Sequence, residues 1–142
     1  MAWCSRARSS GSGGNLLDVA TGASTLVANT TLTGTSVGFG STLNGPQTLT
    51  IAGDASFAGA VGGTSPLTSV SVDSASTISA GGNIATTSGV ALNASTSVAV
   101  KGLSATGATA DVLVNQTGGT GSASIDGPVT AGRDYLVTGT SV

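Results

Sequence analysis

Histidine and glutamate are absent from this sequence of 142 residues, and its single cysteine is Cys4. The lack of imidazole excludes Ser-His-Asp and Cys-His catalytic arrangements and zinc sites built on histidine. All six acidic residues are scattered aspartates, whereas enzymes that cleave glycosidic bonds need paired carboxylates at one groove. We therefore predict that the chain is not an enzyme and that it holds no cofactor or metal ion.

Charged and aromatic residues are also scarce. They make up 7% and 3% of the chain, against roughly 25% charged residues in an average soluble domain. One lysine and three arginines, with a pI near 4.4, form no basic patch that could neutralise phosphates, so nucleic-acid binding is not expected. Gly, Ser or Thr interrupts every apolar run before it reaches the ~18 residues of a membrane-spanning helix, which excludes such a segment.

Short aliphatic runs are what the sequence does contain. Hydrophobic residues make up 39%, the mean hydropathy is +0.35 and the formal net charge is −2. Disordered chains combine low hydrophobicity with high charge, so this chain is expected to bury a core. Ala, Val, Leu and Ile alternate with Ser, Thr and 23 glycines, which favours strands and turns over helices. The composition predicts an all-β fold.

The first 14 residues differ in composition from the rest. Arg6 and Arg8 are followed by a flexible run of Ser and Gly, where a secretory signal would need an apolar stretch of about 7 to 15 residues. We predict a disordered Ser/Gly-rich tail over residues 1–14 and a repeat segment over residues 15–142. An export signal is not present in this chain.

The repeat segment shows a regular spacing of apolar-x-apolar units. Successive starts are separated by 21, 20 and 22 residues, and steps of 23 residues reach further units at both ends. The units are Leu26-Val27-Ala28, Leu49-Thr50-Ile51, Val70-Ser71-Val72, Val90-Ala91-Leu92, Val112-Leu113-Val114 and Tyr135-Leu136-Val137. A second series follows the three units that start at 49, 70 and 90 at a constant offset of eight, and consists of Phe57, Ile78 and Val98.

This period is typical of one coil of a parallel β-solenoid, in which each coil supplies two or three short strands. Strands of successive coils lie about 4.8 Å apart, so about five to six coils form a rod of roughly 25 to 30 Å. Inward aliphatic side chains would stack in columns, and the predicted stacked core is Leu49, Ile51, Val70, Val72, Val90, Leu92, Val112, Val114, Phe57, Ile78 and Val98.

Asp or Asn follows the apolar unit in three successive coils, at Asp73, Asn93 and Asn115. Asx residues tolerate left-handed turn conformations, and stacked amides can hydrogen-bond along a solenoid, so a structural Asx ladder is predicted. The ladder is short, because Ala52 and Thr138 occupy the same place in the flanking coils. Asx residues that simply follow strands because turns favour them are the alternative.

Other repeat folds fit less well. Leucine-rich repeats need a recurring Leu-x-x-Leu-x-Leu frame, and calcium-binding rolls need Gly-Gly-x-Gly-x-Asp, and neither occurs here. An immunoglobulin-like sandwich stays open as an alternative, although Trp3 lies in the tail and Tyr135 is the only tyrosine. The solenoid is therefore the favoured interpretation.

Residues 48–63 (TLTIAGDASFAGAVGG) and 76–84 (STISAGGNI) resemble the repeats of filamentous-haemagglutinin-like adhesins and autotransporter passengers. The similarity extends over residues 26–142. The resemblance implies a right-handed parallel β-helix from a Gram-negative bacterium, located outside the cell or on the outer-membrane surface. It also implies a structural or adhesive repeat segment, acting in cell adhesion or as a surface stalk, whose partner is a protein or glycan of a host or neighbouring cell.

Two further functions are kept as alternatives. The chain ends look like cuts through the repeat, so the segment is expected to be part of a longer solenoid whose uncapped coil ends self-associate. This would suit a surface-layer or biofilm-matrix protein. The triplets Thr31-Leu32-Thr33, Thr48-Leu49-Thr50 and Thr138-Gly139-Thr140 raise the third option, an ice-binding array of outward threonines.

Asp111 and Asp134 form the closest approach to a charged constellation, because both precede an apolar unit and would lie one coil apart. A Ca²⁺ ion could relieve their repulsion, but it takes six to eight oxygen ligands, and two carboxylates fall short. Arg133 is the simpler partner. We therefore predict that these aspartates are solvated or ion-paired and do not hold a metal ion.

Overall fold

The computed structural model describes residues 8–10, 16–19, 22–74, 76–118 and 120–139 of the chain. These residues form strands and turns and no helix. The strands are β1 Arg8–Ser10, β2 Leu16–Val19, β3 Ser24–Thr25, β4 Thr30–Phe39, β5 Leu43–Asn44, β6 Thr48–Phe57, β7 Leu67–Ser74, β8 Thr77–Ala80, β9 Ile84–Ala94, β10 Ser97–Val100, β11 Leu103–Ala105, β12 Asp111–Gln116, β13 Ser122–Ile125, β14 Val129–Ala131 and β15 Tyr135–Thr138.

The chain folds as a parallel β-solenoid of about five turns, which confirms the predicted fold class. All strand pairs are parallel except that of β1 with β2. Alternating aliphatic and small polar residues produce these strands, because one face of each strand is buried inside the coil and the other meets water. Each coil therefore supplies one buried and one outward row per strand.

The solenoid has three faces, defined by which strands pair. The first face is formed by the ladder of residues 30–33, 48–52, 69–74, 89–94, β12 and β15. The second face contains β2, residues 36–39 and 54–57, β8, β10 and β13. The third face contains β5, Val61, residues 84–86, β11 and β14, with Leu67 opposite Thr86.

On the first face the backbone register aligns the central apolar units as predicted. Leu49 lies opposite Val70, which lies opposite Val90 and then Val112. The third residues of these units form a second column, and all eight side chains are buried; that column is Ile51, Val72, Leu92 and Val114.

The predicted first unit, Leu26-Val27-Ala28, is wrong as a member of this ladder. Leu49 instead pairs with Thr30 and Ile51 with Leu32, so the first coil is 19 residues long there. Val27 is 73% exposed. The inward position of the first rung is held by a threonine, and an apolar pattern does not detect a polar residue in that place.

On the second face, one member of the predicted second series, Phe57, does not stack on the others. Ile78 lies opposite Val98, but its other neighbour is Ala55 and not Phe57. Phe57 is buried in the next column, opposite Ala80, and its ring stacks on Phe39 at a centroid distance of 5.4 Å. The offset differs because the corner between β7 and β8 is two residues longer than the corner inside β6.

Where the chain turns sharply, glycine permits close backbone contact. Gly53, in the corner inside β6, has φ +142°, and a Cβ there would lie 1.7 Å from the carbonyl oxygen of Gly34 in the preceding coil. Gly62 has φ +71°, and its Cβ would lie 2.1 Å from the Ala85 oxygen. These two positions need the left-handed backbone region, which glycine enters at little cost.

The two ends of the solenoid differ. At the amino-terminal end, β1 adds to β2 as an antiparallel edge strand. At the other end, the last coil, defined here as residues 120–139, supplies β13, β14 and β15, which pair with the preceding coil. Of the predicted tail, residues 1–7 and 11–14 lie outside the described residues, whereas Arg8–Ser10 form β1.

Candidate functional site

The outward row of the first face changes character along the solenoid. Because outward residues of a ladder stack directly on one another, they form a continuous stripe on the surface. The stripe, called the outer stripe here, runs from polar to apolar as Thr31, Thr50, Ser71, Ala91, Leu113 and Leu136. Leu136 is 57% exposed, so the stripe ends in an apolar patch on the last coil.

The sequence did not single out this stripe, because its members were treated as ordinary outward positions. The spacing that aligned the inward units also aligned Ala91, Leu113 and Leu136. The middle residue of each unit changes along the chain from a hydroxyl-bearing residue to an apolar one, and this change could be read from the sequence. An outward apolar run of this kind is typical of an interaction surface.

A shallow groove of about 340 Å³ lies beside the outer stripe where Gly89 leaves the surface without a side chain. Ser69, Ser88 and Asp111 form its polar border, and Ala91 and Leu113 contribute apolar surface. With Ser71 of the outer stripe, the groove thus combines a carboxylate and three hydroxyl-bearing residues with an apolar floor. Such a mixture suits a partner that presents both polar and apolar groups.

The three residues of the predicted Asx ladder lie opposite one another. Asp73 pairs with Asn93, which pairs with Asn115, and Ala52 and Thr138 continue the row on either side. Asp73 is exposed, and the other two are half-buried. Among the described residues no hydrogen bond joins the three side chains, so they are a row of outward polar groups next to the outer stripe.

The carboxylate that organises a corner is Asp54, which the sequence did not identify. One of its oxygens, Oδ1, accepts hydrogen bonds from Ser74 Oγ at 2.5 Å and from the amides of Ser76 and Thr77 at 2.9 and 3.2 Å. These bonds tie the corner between β7 and β8 to the preceding coil. The signal that could have found it is the Gly53-Asp54 pair at a predicted turn.

Amide side chains fulfil the same role at other corners. The Oδ1 atom of Asn44 accepts from the backbone nitrogen of Thr64 at 3.0 Å, one coil later. Gln116 is buried, and its Nε2 donates to the backbone oxygens of Ser95 and Gly118 at 2.7 and 2.6 Å. Coil-to-coil bonding by polar side chains therefore occurs, but at Asp54, Asn44 and Gln116 and not along the predicted ladder.

Arg133 lies between the two aspartates singled out in the sequence. Its guanidinium forms a two-pronged ion pair with Asp111 of the preceding coil and contacts the carboxylate of Asp134 at 3.2 Å from Nε. The amide of Asp134 also donates to Asp111 Oδ1 at 3.3 Å. Of the two predicted states, solvated and ion-paired, the structure therefore shows the ion-paired one.

This arrangement shifts two pKa values. The hydrogen bond from Arg133 is the main cause that lowers the pKa of the Asp111 carboxyl below its ordinary 3.8; the charge of Arg133 and the Asp134 amide act in the same direction, and desolvation of the carboxylate opposes them. The hydrogen bond to Asp111 and the negative charge of this carboxylate raise the pKa of the Arg133 guanidinium above its ordinary value. Both groups are charged at neutral pH, so they hold the last coil through charge.

A second ion pair crosses the same boundary on another part of the surface. Lys101 Nζ lies 2.6 Å from Asp126 Oδ2, and the hydrogen bond from this ammonium lowers the pKa of the Asp126 carboxyl. Within residues 22–139, as far as the structure describes them, every ion pair thus involves the last coil. Exposed pairs such as these contribute little stability but respond to salt and pH.

The end of the last coil leaves inward positions open. Tyr135, at the end of the Leu49 column, is 54% exposed, and a shallow cavity of about 250 Å³ lies between it, Val137, Ala123 and Ile125. In the middle coils, residues 48–116, the corresponding side chains are covered by the next rung. The last coil therefore presents an open apolar edge.

No group of three or more Cys or Asp side chains that could hold a metal ion occurs in the described part of the chain. No helix there is long and apolar enough to cross a bilayer. Comparison of the chain with protein-family models, with curated proteins and with solved structures found no match.

Proposed function

We propose that this chain is a structural and adhesive shaft, a repeat segment of a large secreted or surface-displayed bacterial protein. The observation that carries the proposal is the unbroken ladder of the first face, in which rungs from β4 to β15 stack and the middle rungs carry inward aliphatic side chains. Such a ladder keeps its shape over its whole length, because each coil is held by hydrogen bonds and packing to both neighbours. A stiff rod suits a stalk that holds a binding surface away from a cell.

The outer stripe and the groove at Gly89 are the proposed adhesive surface. The apolar residues Ala91, Leu113 and Leu136 are grouped there on one face, with the Asx row beside them. Hydrophobic contact from the stripe and hydrogen bonding from the neighbouring polar row would together bind a protein or glycan on another cell. The bacterial, extracellular setting rests on the resemblance of the repeats to filamentous adhesins.

The test is to apply the purified full chain to epithelial cells and to glycan arrays. Saturable binding is expected, and a Leu113→Arg substitution on the outer stripe should reduce it by about tenfold, the loss of about 1.4 kcal/mol of contact energy. Ala99→Arg is the matched control, because Ala99 is an exposed outward residue on β10 of the second face. Absence of saturable binding, or equal loss in both variants, would contradict the proposal.

A self-associating matrix repeat is the second candidate, and the open edge of the last coil favours it. There the assembly itself would be the function, and no ligand on another cell would be required. Fibres that form with rising concentration, without binding to cells or glycans, would support this candidate over adhesion.

An ice-binding array receives less support from the positions of the threonines. Thr31 and Thr50 stack on the outer stripe, but the next rungs carry Ser71, Ala91 and Leu113. The row of threonines therefore extends over two rungs only, and the hydroxyls end at the third rung with Ser71. No thermal hysteresis is expected from the purified chain.

A further inference from the structure

The outer stripe runs between two further outward rows of the first face. Side chains alternate along a strand, so the residues two places before and two places after each stripe residue also face outward. The row before the stripe contains Ser69, Gly89 and Asp111. The row after it is the Asx row of Asp73, Asn93 and Asn115. A second copy that turned the same face towards the first would bring these rows together.

A twofold axis along the stripe, parallel to the rod, exchanges the two outer rows and keeps every coil level with its copy. Each stripe residue then meets itself, so that Leu113 lies against Leu113 and Ser71 against Ser71. An axis across the rod at Ala91 would give an antiparallel pair and would place Leu113 against Ser71. The parallel arrangement is therefore the one that matches apolar with apolar residues along the whole stripe.

The groove at Gly89 lies opposite the Asn93 side chain in the parallel arrangement. Both residues belong to β9, one on each side of Ala91. Gly89 has no side chain to fill the groove of about 340 Å³. The exchange of rows thus places Asn93 of each copy above the groove of the other. Such reciprocal contact, in which one residue meets a second and the second meets the first, is the pattern of a twofold interface.

The border of the groove offers hydrogen-bond partners to an amide. A primary amide has two N–H donors and an acceptor oxygen, and a carboxylate has about four acceptor positions. Three hydrogen bonds reach the Asp111 carboxylate within the described residues, two from Arg133 and one from the Asp134 amide, so one acceptor position is left. Ser69 and Ser88 add hydroxyl groups. The border is therefore suited to the amide of Asn93.

The coils themselves do not use the amides of the Asx row. The Oδ1 atoms of Asn29 and Asn44 accept backbone hydrogen bonds from the next coil. Within the described residues, by contrast, the side chains of Asn93 and Asn115 make no hydrogen bond. These two amides are thus available to a partner.

Charge is compatible with the parallel arrangement. The carboxylate of Asp111 lies opposite Asn115 of the second copy, and that of Asp73 lies opposite Ser69. Both opposing side chains are uncharged and can form hydrogen bonds. No two carboxylates meet across these rungs, so pairing brings no like-charge repulsion between them.

The size of the face determines how strong such a contact is. The face measures roughly 24 Å along the rod and 16 Å along the strands, from steps of about 4.8 Å between rungs and about 3.3 Å between residues. Each copy would cover on the order of 400 Å², at the low end of specific interfaces. The contact is therefore weak and reversible and requires a high protein concentration.

We propose that a second copy of this chain pairs side by side with the first, parallel and in register, through the outer stripe. Asn93 of each copy occupies the Gly89 groove of the other. The inference rests on the proposed function, in which the outer stripe is a binding surface, and it names the partner of that surface. Parallel rods suit two shafts that stand on the same cell surface. Because the contact is twofold, it closes as a pair.

The first experiment is sedimentation velocity of the full chain from about 1 μM to about 1 mM, a range that covers weak association. A monomer–dimer equilibrium is expected. Asn93→Arg overfills the groove and should weaken association about tenfold. Ser79→Arg, at an exposed outward position on β8 of the second face, is the matched control and should leave association unchanged. Monomers at all concentrations, or equal effects of the two variants, would overturn the proposal.

The second experiment fixes the orientation with a short bismaleimide that joins two thiols. Thr50→Cys is placed in a Cys4→Ser background, so that the introduced thiol is the only one. Parallel pairing sets the two thiols opposite each other and should give a cross-linked dimer. Antiparallel pairing would separate them by about 19 Å, four steps of about 4.8 Å. Dimers that do not cross-link would overturn the parallel register.

The two proposals fail in different ways. Dimers of a chain that shows no saturable binding to cells or glycans would remove the ligand on another cell and keep the pairing. Saturable binding by a chain that stays monomeric would remove the pairing and keep adhesion. Circular dichroism shows whether each variant retains the β fold, and if Asn93→Arg loses it, the Thr50→Cys cross-link decides.

Discussion

The middle coils and the last coil are built from the same kind of repeat but are held together by different forces. In the middle coils, inward side chains such as Val72 and Leu92 are sealed between two rungs. In the last coil the same columns end in Tyr135 and Val137, which have a rung on one side only. A repeat therefore owes most of its stability to its neighbours, and the terminal coil has half of that support.

Ion pairs are concentrated at the last coil, where the buried apolar contacts are fewest. Lys101 with Asp126, and Arg133 with Asp111 and Asp134, all cross into the last coil or lie within it. The middle coils rely on corner hydrogen bonds such as those accepted by Asp54. The comparison predicts a middle region that unfolds as a unit and a last coil that opens locally and responds to pH.

The largest effect is expected from a glycine substitution in the corner of a middle coil. Gly53→Ala should cost about 3 kcal/mol, because φ +142° is strained for alanine and the added Cβ would meet the Gly34 oxygen at 1.7 Å. Gly132→Ala, whose Cβ would lie 1.8 Å from the Gly107 oxygen, should cost less because the last coil can move away. Chemical denaturation measures both free energies of unfolding.

Gly22→Ala is the control, since a Cβ there meets nothing within 4 Å. Equal destabilisation by Gly53→Ala and Gly132→Ala would contradict the distinction between the two regions.

A smaller difference is expected within a single column. Val72→Ala should destabilise by about 2 kcal/mol, from two buried carbons at about 0.8 kcal/mol each and a residual cavity. Val137→Ala, in the same column but half-exposed, should cost less than about 1 kcal/mol. Thermal unfolding followed by circular dichroism compares the two, and a larger loss for Val137→Ala would refute the inferred packing gradient.

Removing a corner carboxylate should have a lesser effect. Asp54→Ala is expected to cost about 1 to 2 kcal/mol, since the Thr77 amide loses its acceptor and the Ser76 amide keeps only the Ser74 hydroxyl. Asp126→Ala removes an exposed partner of Lys101 and should leave the unfolding midpoint unchanged. Denaturant titration measures the unfolding midpoint of each variant. Equal midpoints for Asp54→Ala and Asp126→Ala would show that water replaces the hydrogen bonds of Asp54.

The smallest effect is a local one, on the opening of the last coil with pH. Since Arg133 lowers the pKa of Asp111 in the folded state, the stabilisation is complete above the ordinary carboxyl pKa of 3.8 and is lost as pH falls through the lowered value. Hydrogen exchange of the β15 amides, corrected for intrinsic rates, should therefore accelerate in acid. The Arg133→Met variant should lose this pH dependence, and its retention would assign the effect to other carboxylates.

The sequence spacing was sufficient to align the central rungs. Leu49, Val70, Val90 and Val112 could be matched because steps of 20 to 22 residues recur and every member is aliphatic. The method failed for the first rung, where Thr30 takes the inward place. It also misaligned Phe57, since corner lengths differ between coils, and a count along the chain cannot tell a longer corner from a shifted strand.

Two or three strands per coil were expected, but the residues of the third face were not identified from the sequence. Its buried column lies in stretches where the sequence varies most in length, which hid the repeat, and it consists of Leu43, Val61, Ile84, Leu103 and Val129. The outer stripe was contained in the same spacing as the inward units, but the register of the coils decided that its members face outward together.

The amino-acid sequence alone determined that this chain winds into coils of nearly equal length with an aliphatic interior, because apolar periodicity and turn residues are local properties. The tertiary structure decided the register of each coil, the partners of Asp54 and Arg133, and the open edge at Ile125 and Val137. These depend on distances between residues about one coil apart, and corner lengths that differ by two residues change those distances without altering the local pattern.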